Sequence, residues 1–166
     1  MRIGILSDSH GDAETTRRAV DVLLAEGCTY LVHCGDVCGD HVLDHLAGTQ
    51  AAFVFGNNDF DHARTAGYAH DLGVQCLDEF GTLDLAGKRI AVTHGDNPLL
   101  VRRLIKEQAC DYLLTGHTHL PHDRRDGRVR WINPGALYRT RRKTVAVLDL
   151  SDDKLRVLQV GPGEIR

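Results

Sequence analysis

The sequence contains no long hydrophobic segment. Near the N-terminus, only Ile3 to Leu6 are apolar before the polar pair Ser7 and Asp8. A membrane-spanning helix needs about 20 apolar residues, and even the apolar region of a signal peptide is longer than this stretch. The sequence therefore predicts a cytoplasmic protein that has no membrane partner.

The sequence also lacks a cysteine pattern of the kind that builds disulfides or cysteine-ligated zinc sites. Its cysteines are odd in number and none of them form a Cys-x-x-Cys pair. This argues against a disulfide framework and a zinc knuckle, and predicts reduced thiols. Cys38 lies two residues beyond a candidate ligand, Asp36, and a direct role for it is an alternative to burial.

Aromatic residues are few, at 5%, and the formal net charge is only -3. Neither feature favours binding to nucleic acid or to an anionic membrane. One segment, from Pro121 to Lys143, contains eight basic residues and two acidic ones and so carries a local charge of +6. Two interpretations stay open for it, a solvated surface and a patch that faces a phosphate.

The chain is long enough for one domain. Its 166 residues are 42% hydrophobic, with no internal repeat or linker, and this predicts a single domain over residues 1–166. Apolar runs and amphipathic segments alternate at first, which predicts parallel strands, whereas hairpins follow later. The predicted elements are strands at 3–6, 30–33, 52–55, 82–85, 89–93, 113–114, 144–150 and 155–160, helices at 13–26, 40–47 and 99–108, and a hairpin around Asp126-Gly127. This mixture favours an α/β sandwich of two sheets.

Polar residues follow five of the predicted strands, at the point where each strand ends. The segments are Ser7-Asp8-Ser9-His10, Gly35-Asp36, Gly56-Asn57-Asn58-Asp59, His94-Gly95 and Gly116-His117-Thr118-His119. Each alone is as typical of a turn or a helix cap as of a site. Together they predict a ligand cluster, because the carboxyl ends of strands in α/β sheets are where ligands bind.

The residue types in this cluster indicate metal binding. Carboxylates, an amide and imidazoles form a mixed oxygen and nitrogen environment that suits Mn²⁺, Zn²⁺, Fe²⁺ or Ni²⁺. The cluster contains more candidate ligands than the four that one tetrahedral ion binds. Two ions that share a carboxylate can clamp both reacting oxygens of a phosphoryl displacement, so the sequence predicts a phosphoesterase.

In their order, these motifs resemble those of the calcineurin-like metallophosphoesterase superfamily, and most closely its small prokaryotic phosphodiesterases, which are related to the retromer subunit of the same fold. The resemblance implies a four-layer αββα sandwich with two mixed β-sheets. It also implies a phosphodiesterase that acts on a small or nucleotide-like phosphodiester, with a hydroxide held by two divalent cations, Mn²⁺ first among them.

Residue by residue, the resemblance implies two metal sites that share Asp36. One site would consist of Asp8, His10, Asp36 and His119, and the other of Asp36, Asn57, His94 and His117. The catalytic residues that it implies are Asp36, Asn57, Asn58, Asp59 and His94, and Asp59 would orient its neighbours.

Two positions depart from the pattern of the superfamily. His94 precedes Gly95 instead of following a glycine, which leaves the ligand in place. Asn58 occupies the position at which many members have a histidine that protonates the leaving group. Because an amide has no such proton to give, Asn58 predicts poor activity on esters with poor leaving groups.

Two other functions stay open. A weakly active or inactive scaffold of the same fold would mediate protein interactions, and a nucleic-acid phosphodiesterase would use the basic segment, although nucleic acid is the less favoured partner. A homo-oligomer also stays open. His41 and His45 could share a metal, but a solvated helix face is favoured for them, and His33, His62, His70 and His122 lie outside the motifs and are assigned no role.

Overall fold

A computed structural model describes residues 1–161 of the chain, so the last five residues of the predicted domain lie outside it. Its strands are β1 (Arg2–Leu6), β2 (Tyr30–His33), β3 (Ala51–Phe53), β4 (Gln75–Cys76), β5 (Phe80–Leu85), β6 (Lys88–Thr93), β7 (Tyr112–Leu114), β8 (His122–Asp126), β9 (Val129–Asn133), β10 (Thr144–Asp149) and β11 (Lys154–Gln159). Its helices are α1 (Ala13–Ala25), α2 (Asp40–Leu43), α3 (His62–Asp71) and α4 (Pro98–Lys106).

The strands form two mixed sheets. The first has the order β11-β10-β1-β2-β3-β4, and the second has the order β5-β6-β7-β9-β8. Strands β1 to β4 are parallel, whereas β10 joins β1 in the antiparallel direction. In the second sheet, β7 is parallel to both β6 and β9. The hairpins β5-β6, β8-β9 and β10-β11 are antiparallel, so the predicted mixture of parallel strands and antiparallel hairpins is confirmed.

Continuous apolar strands are buried on both faces, and this produces four layers. Ile3, Ile5 and Val32 of the first sheet pack against Ile90 and Val92 of the second. On the outer face of the first sheet, the strands contact α1, α2 and α3, and on the outer face of the second sheet they contact α4. The αββα arrangement is the one that the resemblance implied. None of the helices in residues 1–161 is long and apolar enough to cross a membrane.

Two elements were missed by the sequence analysis. Helix α3 was not predicted, because its only buried residues are Thr65 and Ala69, so it has no clear apolar stripe. Strand β4 has only two residues, which is too short for a recognisable pattern. Strand β3 also ends earlier than predicted, at Phe53, and the second predicted helix continues beyond Leu43 only as a 3₁₀ turn.

Candidate metal centre

The candidate ligands lie in loops at the carboxyl ends of five strands. These strands are β1, β2 and β3 of the first sheet and β6 and β7 of the second. The site residues predicted on these loops are Asp8, His10, Asp36, Asn57, Asn58, Asp59, His94, His117 and His119. Because all five ends meet at one edge of the sandwich, residues from distant parts of the sequence come together there.

Two carboxylates and three imidazoles form the centre of the cluster. Asp8 Oδ1 is 3.1 Å from His119 Nε2 and 3.9 Å from His94 Nε2. Asp36 Oδ2 is 3.3 Å from His94 Nε2 and 3.4 Å from His10 Nε2. The possible ligand atoms form two overlapping groups, one of Asp8, His10 and His119 and one of Asp8, Asp36 and His94. Asp8 thus belongs to both groups, and Asp36 lies close to one imidazole of each, whereas the resemblance implied only Asp36 as a shared ligand.

Three buried atoms at this centre have no hydrogen-bond partner among residues 1–161. They are Asp8 Oδ1, His10 Nε2 and His94 Nε2. Buried polar atoms are normally paired, and leaving one unpaired costs about 1–3 kcal/mol. Carboxylate oxygen and imidazole nitrogen are also the ligand atoms that Mn²⁺, Fe²⁺, Zn²⁺ and Ni²⁺ accept. The donor set therefore fits divalent cations.

Asn57 and His117 lie beside these two groups rather than within them. Asn57 Oδ1 and His117 Nδ1 are 3.1 Å apart, and the His117 side chain is exposed. The main-chain N–H of His117 donates a hydrogen bond to Asp8 Oδ2 at 3.1 Å. The pair is close to the centre, but its predicted part in metal binding stays a prediction.

Asn58 contacts Asp36 twice. Its side-chain amide donates to Asp36 Oδ2 at 2.8 Å, and its main-chain N–H donates to Oδ1 at 2.9 Å. The sequence analysis placed Asn58 among the implied catalytic residues, at the position of a missing acid, and predicted no contact with Asp36. The structure adds that this side chain fixes the orientation of the carboxylate that faces His10 and His94.

Asp59 ties two loops together. Its carboxylate accepts hydrogen bonds from the main-chain N–H groups of Gly56 at 2.8 Å, Val37 at 3.2 Å and Cys38 at 2.7 Å. Gly56 belongs to the loop after β3, and the other two belong to the loop after β2. This geometry supports the anchoring role that was expected of Asp59.

The site loops are held in a backbone conformation that L-amino acids rarely adopt. Six non-glycine residues here have φ between 45° and 66°, namely Asp8, His10, Asp36, Cys38, His117 and His119. Such residues persist only when the surroundings hold them, and they cluster at functional sites. The approach of the loops is also close, because a Cβ atom on Gly56 would collide with the Asp36 carboxylate.

Burial and hydrogen bonding shift the pKa values of the central residues in opposite directions. Burial raises the pKa of Asp8 above its usual value, although the Ser7 hydroxyl at 2.6 Å lowers it in part. Burial would also raise the pKa of Asp36, but the His94 ring at 3.3 Å and two hydrogen bonds from Asn58 hold it well below its usual range. Burial alone would lower the pKa of His94, yet its contacts with Asp36 and a main-chain carbonyl raise it to about 8. A cation at His94 Nε2 would take the place of this proton.

The sequence analysis missed His33. This residue is fully buried, and its Nε2 lies 2.7 Å from the Ser9 hydroxyl, in the loop between Asp8 and His10. His33 therefore links strand β2 to the loop that carries two candidate ligands. No pattern in the sequence distinguishes such a histidine from one in the core.

Cys38 lies at the edge of the centre but outside both groups of ligand atoms. Its Sγ is 3.8 Å from His10 Nδ1 and 3.3 Å from the main-chain oxygen of Asn58. Burial, and then the nearby Asp59 and Asp36 carboxylates, raise the pKa of this thiol to about 12. The thiol is therefore protonated at neutral pH, which does not favour a direct role as a ligand or nucleophile.

A groove of about 780 Å³ opens over the centre. Among the residues that line it are His10, Asp36, Asn57, Asn58, Phe60, Arg64, His117, His119, Tyr138 and Arg139. Most of the predicted site residues therefore face a space large enough for a small organic phosphate ester. Asp8 and His94 lie beneath it and are fully buried.

Most of the paired charges in the basic segment lie away from this groove. Arg125 and Arg130 form ion pairs with Asp153, and Lys143 pairs with Asp12 at 2.9 Å. The segment is therefore less positive in the fold than its sequence suggests, which supports the interpretation of that part as a solvated surface.

The comparison with known proteins agrees with this geometry. Residues 1–153 match the calcineurin-like phosphoesterase superfamily domain. The chain is 27% identical over 161 residues to phosphodiesterase MJ0936 of Methanocaldococcus jannaschii, an alignment that covers 94% of this chain and 97% of that protein. The solved structure of a novel archaeal phosphodiesterase superposes with a TM-score of 0.89 at 26% identity, covering 96% of this chain and 99% of the other.

A more distant structure shares the fold. Vps29 of Entamoeba histolytica, solved in complex with Zn²⁺, superposes with a TM-score of 0.67 at 18% identity and covers 97% of this chain and 100% of its own. At this identity the likeness concerns the fold alone. With the family match over most of its length, this chain belongs to the calcineurin-like phosphoesterase superfamily.

Proposed function

We propose that this protein is a metal-dependent phosphodiesterase that uses two divalent cations to hydrolyse a small, nucleotide-like phosphodiester. The observation that carries the proposal is the convergence, beneath an open groove, of buried ligand atoms on Asp8, His10 and His94 that have no partner within residues 1–161. Membership of the superfamily supports hydrolysis of a phosphoester. The activity named for the Methanocaldococcus relative supports a diester.

The proposed ligands are those that the motifs implied. One cation would be held by Asp8, His10, Asp36 and His119, and the other by Asp36, Asn57, His94 and His117. Mn²⁺ is proposed first, with Zn²⁺, Fe²⁺ and Ni²⁺ as alternatives, because the donors are oxygen and imidazole nitrogen. When bound, such ions supply Lewis acidity, which activates water and stabilises charge on a phosphate.

The contribution of the chain is to hold these ligands in place. His94 Nδ1 lies 2.8 Å from the main-chain oxygen of Cys34, which fixes the ring so that Nε2 faces the centre. Asn58 fixes the Asp36 carboxylate, and Asp59 fixes the loops that carry them. No step of the proposed reaction requires a thiol.

The alternative functions are less well supported. A scaffold has no physical need for unpaired carboxylate and imidazole atoms in a buried cluster, since each lowers the stability of the fold. A nucleic-acid enzyme would need a basic or aromatic surface, but several cations of the basic segment are already paired. The oligomeric state and the cytoplasmic location stay predictions.

The proposal can be tested by removing metal with a chelator and reloading the protein with one metal at a time. We expect activity to disappear on chelation and to return best with Mn²⁺, and we expect bis(p-nitrophenyl) phosphate to be hydrolysed faster than p-nitrophenyl phosphate. Full activity without metal would contradict metal dependence. A faster rate on the monoester would contradict the diester preference.

Arg139 is expected to bind a phosphate oxygen of the substrate. It is the arginine of the basic segment that lines the groove, whereas Arg141 and Arg142 line a neighbouring cavity of about 650 Å³. No carboxylate lies within ion-pair distance of Arg139 among residues 1–161, so its guanidinium is available for two parallel hydrogen bonds to a phosphate. Arg139→Ala should raise KM about 10-fold, with a smaller effect on kcat.

The matched control for this prediction is Arg142→Ala, which removes the same charge outside the groove. It should leave kcat/KM close to that of the wild type, and Arg139→Lys should restore part of the binding. Wild-type kinetics in all three single Ala variants, at positions 139, 141 and 142, would show that the basic segment does not bind the substrate.

A further inference from the structure

The side chain of Phe60 is an apolar ring that is exposed to solvent in the groove over the candidate metal centre. It is 80% exposed, more than any other large hydrophobic residue in the described part of the chain. Phe53 and Phe55, a few residues earlier, are buried. An isolated exposed apolar residue is ordinary. The position of Phe60 is not, because it directly follows the anchoring Asp59 and lines the same groove as the candidate ligands.

The groove contains a second aromatic ring beside the candidate ligands. The ring centroid of Tyr138 is 5.4 Å from that of His10, and the Arg139 guanidinium lies 5.3 Å from the Tyr138 ring. Tyr138 is half-buried, so part of its surface is free. The aromatic content of the chain is only 5%, and yet two aromatic residues line this one groove.

The charges near Phe60 argue against a second phosphate at that end of the groove. Arg64, which also lines it, is already paired with Asp40 and Asp61. The wall formed by Phe60, Asp61 and Arg64 therefore offers an apolar face and a neutralised cation. Such a wall suits an uncharged planar group better than it suits another anion.

We propose that the substrate carries a planar aromatic ring, of the nucleobase type, on the ester arm that is not cleaved, and that this ring stacks on Phe60 with Tyr138 as a second aromatic contact. The inference rests on the proposed phosphodiesterase function and adds the residues that would recognise the arm of the substrate that is not cleaved. Stacking of a base on an aromatic side chain is tolerant of sequence, because every base offers a π-face. The proposed site therefore selects nucleoside phosphodiesters over alkyl phosphodiesters without selecting one base.

The test compares two diesters that share a leaving group, thymidine 5′-(p-nitrophenyl phosphate) and ethyl p-nitrophenyl phosphate. Since the bond that breaks is the same in both, a difference in kcat/KM reports recognition of the other arm. In the Mn²⁺-loaded wild type we expect at least about a 10-fold preference for the thymidine ester, mainly through KM. Phe60→Ala should lower kcat/KM for the thymidine ester about 10-fold more than it lowers kcat/KM for the ethyl ester.

Three variants separate stacking from general packing. Phe60→Tyr keeps the ring and should keep the preference, whereas Phe60→Leu keeps an apolar side chain and should lose most of it. Leu99→Ala removes an apolar side chain that is 74% exposed and lies outside this groove. It should leave kcat/KM unchanged for both substrates. Thymidine 5′-monophosphate should bind the wild type about 10-fold more tightly than ethyl phosphate by calorimetry, and Phe60→Ala should reduce that ratio.

The outcomes that would overturn the inference are distinct from those that would overturn the function. Suppose that the ethyl ester is hydrolysed, but that Phe60→Ala lowers kcat/KM equally for both esters or the wild type prefers neither ester. The ring site is then wrong, and the phosphodiesterase proposal stands. If neither ester is hydrolysed with any of the metals, the proposed function is wrong and the ring site falls with it.

Discussion

Asp36→Asn should lower kcat/KM for a phosphodiester by about 10³-fold or more, which corresponds to several kcal/mol of charge stabilisation. The carboxylate is 2% exposed and faces the Nε2 atoms of His10 and His94 at 3.4 and 3.3 Å. Asn keeps the size of the side chain but removes its negative charge. It also turns one ligand atom into a possible donor, so affinity for cations should fall together with activity.

Metal content provides a readout that does not depend on turnover. Wild-type protein should bind two Mn²⁺ ions per chain, and Asp36→Asn should lose both if Asp36 is the shared ligand. Because binding to the folded state alone stabilises a protein, a hundredfold excess of metal over its dissociation constant should add about 2.7 kcal/mol per bound ion to the wild type. The variant should gain much less, which thermal unfolding with and without Mn²⁺ would measure.

Comparison with Asp8→Asn decides which carboxylate is shared, since the structure places each of them near two imidazoles. Substitution of a carboxylate that binds one ion should remove only that ion, and substitution of a shared carboxylate should remove both ions. Loss of both ions from Asp8→Asn, with one ion retained in Asp36→Asn, would contradict the assignment of Asp36. Asp78→Asn is the matched control, because Asp78 is exposed, lies outside the groove and has the same φ of 55°.

How much the sequence predicted depends on how strongly each element is encoded locally. Strands β1, β2 and β7 were predicted because they are buried on both faces and read as continuous apolar runs. Helix α3 was not, because few of its residues are buried and the side chain of Asp61 makes no capping hydrogen bond. Tertiary contacts, rather than a local pattern, determine that helix.

The site residues could be named for a similar reason, because ligands that follow parallel strands must meet at one edge of the sheet. Their mutual geometry could not be predicted. Nothing in the sequence indicates that Asp8 faces both His94 and His119, or that His33 supports the loop between two ligands through Ser9. The contacts of Asp8 join loops of different sheets, so they depend on how the two sheets pack, whereas the His33 contact depends on the pairing of β1 with β2.

Asn58 provides the sharpest comparison between the chemistry of this chain and that of its superfamily. An amide has no proton to give at neutral pH, so a departing alkoxide must be stabilised without help from this residue. Rates should therefore fall steeply as the pKa of the leaving group rises, and nitrophenyl esters should be much better substrates than alkyl esters. The structure adds a complication, since the same amide also holds Asp36 at 2.8 Å.

Asn58→His should flatten the dependence of kcat/KM on leaving-group pKa, because an imidazole can protonate the leaving oxygen. General acid catalysis contributes about 10² to 10⁴ in rate, so the gain should appear mainly for esters with poor leaving groups. Asn58→Ala is the necessary control, because it also loses the amide contact with Asp36 but gains no acid. If the His and Ala variants give the same slope, the change reflects only the loss of that contact. A slope that is already shallow in the wild type would show that another group in the groove, such as the Tyr138 hydroxyl, protonates the leaving group, and Asn58 would then not mark a missing acid.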